Sequence, residues 1–282
     1  MFLRLQNYAD HLAALEKSGI TRKKYQYEAE RFELWLAAEN RTLSKESVIA
    51  YKEKLSATYQ ASSVNTKISA LNTYFGFLGR GDCRTRAVKI QHPLFVPQNR
   101  VLLYYEYDRL IKAANKRKNP RLALLLQTIC GLGLRVSEVQ YITVEAIEQK
   151  TAVITNKGKT RIIPLPNSLC RVLARYITDE QIKSGPVFIT KGGLPLDRSN
   201  IWRMMKSLAR RAGLPLEKIY PHNLRHLFAR TFYAREKDVV RLADILGHSS
   251  IDTTRIYTRQ TGEYHRSAIE HLGLFCREDF DL

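Results

Sequence analysis

The stretch Leu246-Gly-His-Ser-Ser-Ile-Asp-Thr-Thr-Arg-Ile-Tyr257 decides how the rest of the chain is read. Gly247 ends one predicted helix, and one of the two following serines caps a short helix that carries Tyr257. His248 lies nine residues before Tyr257. A tyrosine hydroxyl is a weak nucleophile at neutral pH. Covalent chemistry by Tyr257 therefore requires a base and groups that stabilise anionic charge elsewhere in the chain.

The preceding residues supply such groups in three motifs. Arg135 stands in Gly-Leu-Gly-Leu-Arg-Val-Ser-Glu, and Lys157 stands in Asn-Lys-Gly-Lys-Thr-Arg at the turn of a predicted hairpin. In His-Asn-Leu-Arg-His, the spacing of three residues puts His222 and Arg225 on one helical face. A guanidinium can bond both non-bridging oxygens of a phosphodiester. Two arginines, a lysine and two histidines thus suit phosphodiester chemistry.

Each motif also has a purely structural interpretation. Arg135 can simply pair with Glu138, and an isolated tyrosine on an amphipathic helix usually belongs to a core or an interface. His226, four residues after His222, would suit a helical zinc site. However, Asn223 takes the place where the zinc protease motif has glutamate, and no third acidic ligand is evident nearby. We therefore expect no metal and place His226 in the core.

Taken together and in this order, the motifs resemble those of the tyrosine recombinase (phage integrase) family, over essentially the whole chain. The resemblance assigns six catalytic positions and one supporting acidic position: Arg135, Lys157, His222, Arg225, His248 and Tyr257, supported by Glu138. The hairpin is one residue shorter than in many relatives, so Lys159 stays an alternative to Lys157. The family reaction passes through a 3′-phosphotyrosine and requires no cofactor.

Apolar periodicity indicates a mainly α fold with a small antiparallel β-sheet. Helices are predicted at 2–17, 21–40, 44–57 and 62–79, with Thr21, Ser44 and Ser62 as N-caps, and the apolar stripe of the second helix is assigned to the core. Beyond residue 100 we expect a strand-rich stretch at 143–165, a short strand at 186–190, and helices at 105–116, 120–133, 167–183, 198–212, 222–235, 238–246, 250–258 and 263–272.

The resemblance implies a two-domain DNA clamp. It comprises an N-terminal four-helix SAM-like core-binding domain at 1–85, a basic linker at 86–100, and a mixed α/β catalytic domain at 101–282 with a C-terminal tail helix. The polar face of the fourth helix, with Lys67, is a candidate DNA contact. The apolar tail residues Leu272, Leu274 and Phe275 either dock on a neighbouring subunit or pack within the chain.

The composition favours a polyanionic partner. The chain has 282 residues and a formal net charge of +19, and its first 99 residues already hold 15 basic against 9 acidic side chains. A basic surface kept for solubility or for anionic lipid is the alternative. The four cysteines are too widely spaced for a zinc or redox motif, and we expect reduced thiols, no membrane association and a DNA-associated protein of the bacterial cytoplasm.

We therefore predict a site-specific DNA recombinase that works through a Holliday junction as a homotetramer on paired double-stranded DNA sites. Integration or excision of a mobile element is the preferred role, and Xer-type chromosome dimer resolution comes next. The alternatives are a type IB topoisomerase and a non-catalytic architectural DNA-binding protein. An accessory DNA-bending or directionality factor is left open as a further partner.

Overall fold

A computed structural model describes residues 2–90, 98–116, 119–156, 159–248, 250–251, 253–254, 266–267 and 269–272. The chain divides into two compact units, Met1–His92 and Pro93–Leu282. The described residues are mostly helical, with one two-stranded antiparallel sheet. The predicted fold class is therefore confirmed. None of the described helices has the length and hydropathy that crossing a lipid bilayer requires.

The described part of the first unit contains four α-helices, as predicted: α1 (Phe2–Ala14), α2 (Gly19–Ala38), α3 (Lys45–Thr58) and α4 (Ala61–Phe77). Ser44 caps α3 by accepting a hydrogen bond from the Ser47 amide at 3.2 Å. The other two predicted caps were wrong. The N-cap of α2 is Ser18, whose side chain accepts a hydrogen bond from the Thr21 amide. Helix α4 begins at Ala61, so Ser62 already lies in its first turn.

Aromatic side chains fill the core of this unit. The Phe32 ring packs edge-on against Tyr51 and Phe75, with centroid distances of 5.1 and 5.4 Å. Burial of Phe32, Trp35 and Leu36 confirms that the α2 stripe belongs to the core. We expected Lys67 to be available for a DNA contact. Instead, its ammonium pairs with the buried carboxylate of Glu28 at 2.7 Å.

Residues 84–88 form an extended strap that two asparagines of α4 hold in register. Asn72 donates to the Thr85 carbonyl at 2.9 Å and accepts from the Thr85 amide at 3.0 Å. Asn65 likewise donates to the Val88 carbonyl at 2.9 Å and accepts from the Val88 amide at 2.7 Å. Seven helical residues and three extended residues both span about 10 Å, so the two spacings match.

The second unit contains seven described α-helices and the hairpin. The helices are α5 (Tyr104–Lys116), α6 (Pro120–Leu132), α7 (Val144–Glu148), α8 (Asn167–Asp179), α9 (Arg198–Arg211), α10 (Pro221–Glu236) and α11 (Val239–Leu246). A 3₁₀ helix, Val136–Tyr141, follows α6. The helix predictions from 105 to 246 are thereby confirmed to within a few residues. Those at 250–258 and 263–272 lie largely outside the described residues.

The strand predictions in this unit were confirmed only in part: the hairpin within 143–165 is present, whereas residues 144–148 are helical and residues 186–190 form no continuous strand. The stretch predicted as strand-rich from residue 143 begins with helix α7, because the Thr143 hydroxyl caps it by accepting from the Ala146 amide at 3.1 Å. The predicted strand at 186–190 makes only isolated bridges, Thr143 to Pro186 and Ile189 to Pro195. Proline lacks the amide proton that a continuous ladder needs, and this accounts for the short pairing.

The predicted hairpin consists of β1 (Thr151–Asn156) and β2 (Lys159–Pro164). Its register pairs Ala152 with Ile163 and Ile154 with Arg161. The three apolar members of these pairs are buried, whereas Ile162 on the other face is 68% exposed. Arg161 therefore lies on the face of the hairpin that is turned towards the core.

Candidate active site

Two helices of the second unit end at glycines in the left-handed conformation. Gly133 follows α6 with φ +61°, and Gly247 follows α11 with φ +64°. A Cβ on Gly133 would lie 2.5 Å from Cδ1 of Phe228, so the two chain segments approach closely only because this residue is glycine. The last carbonyls of a helix have no intrahelical donor. Both helix ends therefore present acceptors, and the negative end of a helix dipole favours cations.

Arg225 of α10 joins these two helix ends. Its guanidinium is fully buried. Nη1 donates to the Gly133 carbonyl at 2.7 Å, and Nη2 donates to the Leu246 carbonyl at 2.7 Å and to Nε2 of His248 at 2.9 Å. The two carbonyl oxygens thus stabilise the buried positive charge of Arg225 through hydrogen bonds, so the charge does not need a carboxylate of its own.

Glu138 lies beneath the arginines, and its side chain is only 1% exposed. It accepts from Nη1 of Arg135 and from the Arg135 amide, both at 2.8 Å, and from Nη2 of Arg161, also at 2.8 Å. Nη1 of Arg225 is 3.9 Å away. Within the described part of the chain, a single carboxylate thus faces three guanidinium groups. The remaining positive charge suits an anionic phosphodiester.

The pairing of Arg135 with Glu138 does not remove Arg135 from solvent. The side chain is 33% exposed, more than twice the 14% of Arg161. Nη2 of Arg135 lies 3.4 Å from the Gly247 carbonyl. The two interpretations of Arg135 therefore hold together, because the carboxylate orients a guanidinium whose edge still reaches solvent.

His222 stands at the start of α10, on the exposed side of the site. Partial burial, together with Arg225 and Arg135, lowers the pKa of its imidazole. His226 packs edge-on against it, with a ring centroid distance of 4.5 Å. Burial above all, then His222, Arg230 and Arg225, lowers the pKa of His226 to about 3. Both rings are therefore neutral near pH 7, and His222 is able to accept a proton.

The contacts of His248 define which of its nitrogens carries the proton. A guanidinium has no acceptor, so Nε2 must accept from Arg225. In the neutral ring Nδ1 then holds the hydrogen and donates it to the Thr254 hydroxyl at 2.8 Å. Burial, followed by Arg225, Arg135 and Arg161, lowers the pKa of His248 to about 4, which agrees with a neutral ring.

The structure brings together five of the seven residues that sequence reasoning selected: Arg135, Glu138, His222, Arg225 and His248. Lys157 and Tyr257 lie outside the described residues. Lys159 pairs with Asn156 in the hairpin register, and its side chain also lies outside that set. No group of three or more metal-ligating side chains occurs among the residues that the structure describes.

Sequence reasoning missed two side chains of this site, Arg161 and Thr254. A signal for Arg161 was available. It stands two residues before Ile163 in a strand, so alternation places a charged residue on the buried face of β2. Thr254 has no comparable signal, because its role depends on the orientation of the His248 ring.

The fold and these side chains define a recombinase of the integrase type. The Phage integrase family model matches residues 100–263, and the Phage integrase, N-terminal SAM-like domain model matches residues 5–81. The chain belongs to the phage integrase family of tyrosine recombinases, enzymes that cleave and rejoin DNA. The predicted limits of the domains and linker stay a prediction.

Individual relatives agree with this assignment. The chain is 31% identical over 279 residues to the tyrosine recombinase XerA of Pyrococcus furiosus, covering 96% of this chain and 94% of XerA. The XerH recombinase, in a post-cleavage complex with palindromic difH DNA, has a TM-score of 0.72 at 19% identity, covering 89% of this chain and 79% of XerH. The lambda integrase dimer on a COC′ core site has a TM-score of 0.72 at 18% identity, covering 93% and 96%.

Proposed function

We propose that this recombinase cleaves double-stranded DNA at specific paired sites by attack of Tyr257 on the scissile phosphate. The attack forms a 3′-phosphotyrosine and releases a 5′-hydroxyl. Ligation is the same step in reverse, with the 5′-hydroxyl of the partner strand as nucleophile. The observation that supports the proposal is the cluster of three guanidinium groups around Glu138, next to the neutral imidazoles of His222 and His248.

Arg135 and Arg225 stabilise the negative charge that develops on the non-bridging oxygens of the phosphate. Loss of one such donor costs about 10²- to 10³-fold in rate. His222 accepts the tyrosine proton, and its lowered pKa keeps the accepting form populated at neutral pH. The base is lost only when the pH falls below that lowered pKa, so cleavage should decline on the acid side.

His248 is assigned a hydrogen bond to a phosphate oxygen. Without DNA its Nε2 accepts from Arg225, so it cannot donate from that atom. A phosphodiester nearby favours the protonated imidazole, because an opposite charge raises the pKa of a histidine. DNA binding would therefore convert Nε2 of His248 from an acceptor to a donor. In a separate role, Lys157 would protonate the leaving 5′-oxygen.

The proposed assembly is a homotetramer that exchanges strands through a Holliday junction on bacterial DNA, without a cofactor. Integration or excision of a mobile element is the preferred role. Xer-type chromosome resolution is the second candidate, favoured by the match to XerA along nearly the whole of both chains. An accessory bending or directionality factor would act with either. Assays with DNA from the flanks of the gene and with the host dimer-resolution site distinguish the two roles.

The proposal is tested by trapping the covalent intermediate. The protein is incubated in EDTA with a suicide duplex that carries a nick near the cleavage site, and adducts that survive denaturant are mapped by mass spectrometry. We expect one adduct, at Tyr257, joined to a 3′-phosphate. Tyr257→Phe should bind the same duplex with unchanged affinity and form no adduct, because only the hydroxyl is removed.

Three outcomes would contradict the proposal in different ways. An adduct at another residue would refute the assignment of Tyr257. Equal loss of binding and cleavage in Tyr257→Phe would make the tyrosine structural. DNA binding without any adduct would favour an architectural protein, whereas relaxation of supercoils by a monomer without junction formation would favour a type IB topoisomerase.

The general acid is identified by a leaving group that needs no proton. Lys157→Ala and Lys159→Ala are each assayed on a normal duplex and on one whose scissile 5′-oxygen is replaced by sulfur. We expect Lys157→Ala to cleave slowly on oxygen and near the unaltered rate on sulfur, and Lys159→Ala to show no such rescue. The reverse pattern would assign Lys159, and rescue of neither would remove both lysines from the role.

A further inference from the structure

Arg161 of β2 lies within the site although the family resemblance assigns it no role. Its Nη2 donates to Oε2 of Glu138 at 2.8 Å, and its Nη1 donates to the Leu246 carbonyl. The proposed catalytic arginines use the same two acceptors. Glu138 also binds Arg135, and the Leu246 carbonyl also binds Arg225. Arg161 therefore links the anchor of one arginine to the anchor of the other.

The hairpin places this guanidinium inward. Arg161 is paired with Ile154, which is 1% exposed, and shares its face of the sheet. Both terminal nitrogens of Arg161 are directed to protein acceptors, and the side chain is less exposed than that of Arg135. The geometry thus fits a residue that holds other parts of the protein in place better than it fits a third arginine in direct contact with phosphate.

The turn before His248 is shaped around Arg161. A Cβ on Gly247 would collide with the Arg161 guanidinium, and the φ of +64° at this residue also favours glycine. The Leu246 carbonyl and Nε2 of His248 both accept from Nη2 of Arg225. Displacement of this turn would therefore shift two contacts of Arg225 at once.

We propose that Arg161 is a positioning residue for DNA cleavage: its guanidinium ties the Glu138 carboxylate to the Leu246 carbonyl and so fixes Arg135, Arg225 and His248 for the scissile phosphate. The inference rests on the proposed function, in which the two other arginines act on that phosphate. A lysine in this place keeps the positive charge. It cannot span the two acceptors, because an ammonium lacks the planar fork of a guanidinium.

The test compares Arg161→Lys and Arg161→Met with a control, Arg230→Lys. Arg230 also lies in the second unit and donates to a carbonyl, that of Leu102 at 2.5 Å. Single-turnover cleavage of the suicide duplex is measured at saturating DNA, with Kd and thermal unfolding measured alongside. We expect both Arg161 variants to cleave about 10²-fold more slowly, as for a misplaced reacting group, with little change in Kd. Arg230→Lys should retain the rate.

A second measurement reports on the site itself. Nitrogen-15 spectra of labelled histidine show whether His248 carries its proton on Nδ1 or on Nε2. The unaltered protein and Arg230→Lys should show the Nδ1–H form, as the contact with Arg225 requires. Arg161→Lys should show a mixture of the two forms, because Arg161 no longer helps to hold the turn against Arg225.

The outcomes separate this inference from the proposed function. Cleavage by Arg161→Lys at the unaltered rate would overturn the inference and show that only positive charge is needed. Equal losses of rate in Arg161→Lys and Arg230→Lys, in step with lower melting temperatures, would also overturn it and make Arg161 a scaffold residue. Failure of the unaltered protein to form any adduct would overturn the proposed function, and the inference with it.

Discussion

The two units use side chains in the same way, to hold a piece of backbone that a helix or sheet does not satisfy. In the first unit, Asn65 and Asn72 each bind the amide and the carbonyl of one strap residue. In the second unit, Arg225 and Arg161 bind the carbonyls at the ends of α6 and α11. We call each of these arrangements a clasp: the clasp of Asn65 and Asn72 is neutral, and the clasp of Arg161 and Arg225 is charged.

This difference separates stability from chemistry. An asparagine clasp matches one donor and one acceptor on each side, so it leaves no charge behind, and each hydrogen bond contributes about 1 kcal/mol. A guanidinium clasp also satisfies carbonyls, but every arginine added to it brings a positive charge into a partly buried region. Glu138 faces three such charges within the described residues, and this imbalance of charge suits the phosphate of the proposed reaction.

The largest effect that would test this comparison is expected from Glu138→Gln. The amide keeps the shape of the side chain, removes the negative charge and turns one acceptor into a donor that faces guanidinium groups. Removing one partner of a buried ion pair costs about 3–5 kcal/mol in the free energy of unfolding. Because Arg135 and Arg161 lose their common anchor, and Arg225 loses a carboxylate 3.9 Å away, we also expect about a 10²-fold slower cleavage at saturating DNA. Chemical denaturation and single-turnover cleavage measure the two effects.

Glu106→Gln is the matched control. Glu106 is also buried, pairs with Lys218 at 2.7 Å and accepts the Leu103 amide at 2.8 Å, in the same unit but in contact with one cation. It should lose stability without a comparable loss of cleavage rate. Equal losses of rate in the two variants would break the comparison, because the charged cluster would then matter only for folding.

The sequence predicted the elements of this molecule better than the contacts between them. Apolar periodicity identified the longer helices, and two β-branched runs about a glycine turn identified the hairpin, since each depends on neighbouring residues. The five-residue helix α7 was missed. The N-cap of α2, Ser18, was missed because two potential capping residues stand close together, and the cap is decided by which amide needs a partner.

The candidate site was predictable in its residue types and in its acidic support, Glu138, but not in its other anchors. Arg135, His222, Arg225 and His248 could be selected because they stand in short motifs. These other anchors are backbone carbonyls and a strand arginine from distant parts of the chain. For example, Arg225 donates to the carbonyl of Gly133, which lies 92 residues before it. Any residue offers a carbonyl, so no residue type marks these acceptors. They follow only from the close approach of helix ends that the two glycines permit.

The smallest effect is expected from the neutral clasp. Asn65→Ala and Asn72→Ala each remove two hydrogen bonds from the 84–88 strap, and the higher helix propensity of alanine offsets part of the loss, so about 1–2 kcal/mol is expected for each. Hydrogen exchange should show lower protection of the Thr85 and Val88 amides, while cleavage at saturating DNA stays unchanged. Thr66→Ala is the control, because within the described residues the Thr66 hydroxyl bonds the Ser62 carbonyl of its own helix and no other group. A slower cleavage in the asparagine variants would show that the strap contributes to catalysis, and the distinction between a neutral clasp for stability and a charged clasp for chemistry would fail.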